Sequence, residues 1–150
     1  MRHIRVAALL GLELMLGACG SSRQPQNING FWTAGLSNPD GSPAFGFSMN
    51  LTQGSGTAIS LANFSFVPGS SCFPSSTDET IAFTAAGKAN GRVTGSFAMS
   101  ISTLFPGALN NVLSLEGSRS ATGTISGTWR LTGQTGCTGS NGTFLMSLPQ

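Results

Sequence analysis

The chain has 150 residues, with seven Lys and Arg against five Asp and Glu, a formal net charge of +2, one histidine and no tyrosine. So small a charge excludes the electrostatic footprint of a nucleic-acid-binding protein. Glycine, serine and threonine dominate, but the apolar residues fall in regular alternation. That argues against disorder and for one folded β domain of a length that can bury a real core.

The N-terminus has the order of a secretory signal. Arg2, His3 and Arg5 precede an apolar run over residues 6–16, and Gly17 and Ala18 end it with the small side chains that a peptidase pocket accepts. The run is shorter than the roughly 20 residues of a membrane-spanning helix. Glu13, a charge inside the run, is the one departure. The stretch Leu16-Gly17-Ala18-Cys19 resembles the lipobox of bacterial lipoproteins, whose cysteine takes a diacylglycerol thioether and becomes the new N-terminus. The resemblance implies a signal helix over 1–18, lipidation of Cys19, and a membrane partner held through that lipid. In a diderm cell it implies outer-membrane sorting, because Gly20 is not the aspartate that favours inner-membrane retention. The competing reading is a buried N-terminal helix with an incidental cysteine.

There are three cysteines. If Cys19 carries lipid, Cys72 and Cys137 remain as one pair, which an oxidising exterior favours joining. A bridge would close a loop of about 66 residues, worth roughly 4 kcal/mol in the chain-entropy model. Two free buried thiols are the alternative. A metal site is disfavoured, since beyond residue 18 there is no histidine and there are only these two thiols to spare.

Residues 20–27 carry no apolar pattern and read as a flexible tether, leaving 28–150 as the folded domain. The first strand spans 28–36, with Ile28, Trp32, Ala34 and Leu36 on one face, and Asn38-Pro39-Asp40-Gly41 has turn chemistry. Over 44–52, Phe45, Phe47, Met49 and Leu51 alternate with small polar residues, which fixes the register of the second strand. In the third, Ile59 and Leu61 fall out of phase with Phe64 and Phe66, so a β-bulge is predicted near Ala62 and Asn63. After a long loop holding Cys72, strand four spans 80–85, and Lys88-Ala89-Asn90-Gly91 turns into strand five with Val93, Phe97, Met99 and Ile101 inward. A second long loop, 104–111, precedes strand six at 112–117, where Val112, Leu113 and Leu115 compete for the inner face. Strand seven spans 122–132, the next loop holds Cys137, and residues 142–148 close the chain with Phe144, Met146 and Leu148 inward.

Eight short strands without an intervening helix predict an all-β domain, most simply an eight-stranded antiparallel up-and-down barrel whose closure removes exposed edges. A two-sheet β-sandwich is the alternative. In the meander, the loops after strands three, five and seven share one rim, and the tether and C-terminus fall at the other. The apolar face is expected inside, filling the barrel largely solid, rather than towards lipid as in a transmembrane barrel.

Gly30-Phe31-Trp32 resembles the Gly-x-Trp opening of lipocalin-type barrels, and Gly127-Thr128-Trp129 is similar to the Gly-Thr-Trp strands of avidin-like ones. The lipocalin pattern implies a partner arginine that the sequence does not place. A tethered small barrel with one bridge is also similar to bacterial inhibitors of secreted metalloproteases. Catalytic chemistry is absent from the pattern: no histidine follows residue 3, and Asp78 and Glu79 are strand neighbours pointing to opposite faces. They mark a solvated strand entry, and Glu116 and Arg119 are expected to form an exposed ion pair. The expected function is therefore a non-enzymatic binding module with no cofactor, presenting the rim distal to the anchor. Leu104, Phe105 and Leu109 are its candidate contact residues. Its partner would be an envelope protein, a protease or a small apolar ligand. A structural envelope component without a discrete ligand, and a protease inhibitor, are the alternatives.

Overall fold

A computed structural model describes residues 28–54, 58–67, 73, 77–103, 111–133 and 140–149. They form eight strands: β1 (Gly30–Ser37), β2 (Pro43–Gln53), β3 (Ile59–Val67), β4 (Thr77–Ala89), β5 (Arg92–Thr103), β6 (Val112–Arg119), β7 (Ile125–Thr132) and β8 (Asn141–Ser147). All belong to one sheet with the order β3-β2-β1-β8-β7-β6-β5-β4, and every ladder is antiparallel. Consecutive strands pair except β3 and β4, and β8 returns to β1, so the meander curls into a nearly closed barrel. The remaining gap lies between β3 and β4, which run side by side without a ladder. A sandwich would need two separate sheets; the β1–β8 ladder makes one continuous wall.

The alternation expected from the sequence sets the facing. Phe47, Met49 and Leu51 of β2, and Val93, Phe97, Met99 and Ile101 of β5, are buried inside. In β6 the contest for the inner face is settled in favour of Leu113 and Leu115, with Val112 only half-buried. Serine, threonine and other polar side chains cover most of the outer wall, and among the described residues the large apolar side chains exposed on it are Phe31, Val67 and Leu145.

The β2–β3 register passes from Ser48↔Ser65 to Asn50↔Ala62, so β3 carries one extra residue at Asn63–Phe64, beside the predicted position. Asn63 takes φ 54°, in the left-handed region that asparagine tolerates better than most residues. Both halves of β3 thereby turn their apolar residues inward, and Ile59, Leu61, Phe64 and Phe66 all pack on the core.

Close packing across the interior depends on missing side chains as much as on present ones. Gly117 and Gly127 face each other between Phe97 and Phe144 on one inner row. With no Cβ between them, the two rings approach to 6.3 Å between centroids. A Cβ on Gly117 would stand 2.9 Å from the Phe144 ring.

β4 is longer than expected. Asp78 and Glu79 lie within its first residues, paired with Ser102 and Ile101 of β5, Asp78 exposed and Glu79 half-buried. At its other end Asn90 and Gly91, with φ 50° and 73°, form the two-residue turn that right-twisted hairpins favour.

Candidate functional site

The two ends of the barrel differ in construction. At the base, where the chain enters at Ile28, lie the β4–β5 and β6–β7 turns and the end of β8. At the distal rim lie the β1–β2 turn, the ends of β3, β5 and β7 and the starts of β4, β6 and β8. The parity expected for a meander therefore holds, and the three segments carrying Cys72, Cys137 and Leu104, Phe105 and Leu109 leave from one end. Cys19, Cys72, Cys137, Leu104, Phe105 and Leu109 all lie outside the described residues.

What the structure does describe is the frame from which those segments spring. The neck of 104–110 is closed by reciprocal bonds between buried residues: Thr103 N–H donates to the Asn111 carbonyl at 3.1 Å, and Asn111 N–H donates to Thr103 Oγ1 at 3.1 Å. The Asn111 side chain lies against the backbone of Gly133, where any Cβ would strike it, so the roots of two rim segments are keyed together. The neck of 134–139 is held by Leu131 N–H donating to the Ser140 carbonyl at 2.8 Å. Phe73, next in sequence to Cys72, is buried and stacked on Phe66 of β3, with centroids 5.0 Å apart. Phe66 touches Phe45, and Phe45 meets Trp129 edge to face at 5.4 Å, so an aromatic run fills the distal mouth beneath β1–β3 and β7.

The β1–β2 turn completes the rim. Ser42 donates through N–H at 2.9 Å and through its hydroxyl at 2.6 Å to Asp40 Oδ1. These two bonds favour the carboxylate and hold Asp40 below the usual aspartate range.

The base holds a residue that the sequence reading misplaced. Arg119 does not pair with Glu116 on the surface: it is buried on the inner face, while Glu116 faces out on the same strand. Its guanidinium lies over the Trp32 ring, with Cζ 5.6 Å from the centroid. Burial, and then the nearby charge of Arg92, lower its pKa from the ordinary arginine value. Trp32 is itself fixed by its indole N–H, which donates to the Ile28 carbonyl at 2.8 Å. One signal for this placement was on the page: Arg119 shares the parity of Leu113 and Leu115, and so the inner face.

Family models, curated proteins and solved structures were compared with the chain, and none matches. The chemistry of the site must therefore be argued from its own groups. Among the described residues no three His, Cys, Asp or Glu side chains gather to hold a metal ion. The described part of the rim offers hydroxyls, amides, the carboxylates of Asp40, Asp78 and Glu79, the guanidinium of Arg130 and an aromatic floor. That inventory suits recognition by shape and hydrogen bonding.

Proposed function

We propose that this chain is a lipid-anchored cell-envelope lipoprotein whose barrel serves as a rigid stand for a non-enzymatic binding rim. Cys19 would carry the lipid, and the segments containing Leu104, Phe105 and Leu109 would meet the partner. The observation that carries the reading is the polarity of the barrel: the chain enters at the base, and the longest connections all leave from the opposite end. Sites built on loops over a rigid scaffold are the common arrangement for binding proteins.

A second observation favours binding over a purely structural role. Trp129, Phe45, Phe66 and Phe73 already fill the mouth beneath β1–β3 and β7, so on that side no plug is required from 104–109. The test is the pair Phe105→Ser and Leu109→Ser in the full chain. Partner crosslinking in native envelope should be lost while the melting temperature holds within about 2 °C. A lowered melting temperature with crosslinking intact would assign these residues to the core instead, and no crosslinked partner for the wild type would favour the structural role. Intact mass of the envelope-derived protein should show acyl chains on Cys19 and a Cys72–Cys137 bridge as a deficit of two hydrogens.

A further inference from the structure

The charges of the folded domain are sorted along the barrel axis. Every Asp, Glu, Lys and Arg from residue 28 onward is described. Lys88 at the end of β4, Arg92 at the start of β5 and Arg119 at the end of β6 all stand at the base. Asp40, Asp78 and Glu79 stand at the distal rim with Arg130, and Glu116 sits midway along β6. The base thus carries three cationic side chains and no acidic one, while the rim is net acidic.

Lys88 and Arg92 are exposed, and the Arg92 guanidinium rests on Gly123 in the β6–β7 turn, where a Cβ would stand 2.7 Å from it. This gathers the Lys88–Arg92 hairpin end and the 120–124 turn into one basic corner, with the buried Arg119 behind it. On the other side of the base Phe31, 41% exposed, projects from the outer wall in the second position of β1. Cations and an exposed aromatic at the same end of a body are the composition of surfaces that settle at a bilayer interface.

We propose that the basic end docks on anionic phospholipid headgroups, so that the barrel stands upright with its acidic rim away from the bilayer. The proposal deepens the lipid-anchor reading and rests on it for the approach. Nine residues from Cys19 to Ile28 reach at most about 30 Å, which brings the base to the headgroups before any other part of the barrel. Attraction of basic residues to an anionic surface adds up from one residue to the next, so a few together orient a tethered body.

The full chain, purified from envelope, is placed on phosphatidylcholine vesicles with and without about 30 mol % phosphatidylglycerol, and backbone hydrogen exchange is followed by mass spectrometry. With phosphatidylglycerol present, the turns at 89–92 and 120–124 should exchange about tenfold more slowly, and the turn at 38–42 should be unchanged. Raising salt from about 0.05 to 0.5 M, or Lys88→Glu with Arg92→Glu, should abolish the difference. If the reversed pair does not fold, Lys88→Gln with Arg92→Gln should reduce the difference partially. Equal exchange on both vesicles, or protection at 38–42 instead, overturns the docking proposal. Flotation with pure phosphatidylcholine reports separately on the lipid anchor. A chain that fails to float there yet still shows phosphatidylglycerol-dependent protection overturns the anchor and leaves the basic surface standing.

Discussion

At the scale of single residues, the structure is held by a few contacts that tolerate no extra atom. Trp129 on β7 reaches over β8 and donates its indole N–H to the Ser37 carbonyl at the end of β1, at 2.9 Å. The route passes above Gly142, where a Cβ would collide with the Ser37 oxygen and stand 2.7 Å from the indole nitrogen. Gly142→Ala must therefore push two strands apart or break the bond, at an expected cost of about 2–4 kcal/mol in urea unfolding. Gly35→Ala is the control. Its Cβ would meet open space outside the barrel, and an alanine there should hold or slightly raise stability. At the other end of β1, Trp32 ties itself to Ile28, so the two tryptophans fasten the two ends of the same strand.

At the scale of elements, the bulge in β3 decides whether four apolar residues face in. Asn63→Val places a β-branched side chain at φ 54° and should cost about 1–2 kcal/mol, whereas Asn63→Gly should be close to neutral. Thermal melts of the two variants would separate backbone strain from loss of the amide, because the glycine variant lacks the amide as well. This element was legible in the sequence, since Ile59 and Leu61 on one phase and Phe64 and Phe66 on the other leave no regular strand that buries all four. The start of β4 was not legible. Thr77, Asp78 and Glu79 have no apolar alternation, and their strand conformation comes from pairing with Ser102, Ile101 and Thr103, which only the folded sheet supplies. Arg119 was misjudged for the opposite reason: its parity pointed inward, but its charge and its place beside a turn argued for solvent, and the Trp32 ring decided the matter.

At the scale of the whole molecule, strand counting alone places the rim segments together, because alternation of direction in a meander leaves no freedom about ends. The keyed necks at Thr103, Asn111 and Gly133 could not be read the same way, since each depends on neighbours remote in sequence. The sheet order also shows which strand the assembly depends on. β8 lies between β1 and β7 and joins a three-strand group, β3-β2-β1, to a four-strand group, β7-β6-β5-β4. Ending the chain after Ser140 should therefore remove two ladders at once, and the product should lack a cooperative thermal transition and be cut rapidly by protease. Delivered N-terminus first, both groups come before the piece that unites them. Until residues 141–147 arrive, the inner faces of β1 and β7 stay open to solvent and to chaperones. Completion of the wall thus waits on residues 141–147, and a copy terminated before them would be marked for degradation by its own unjoined halves.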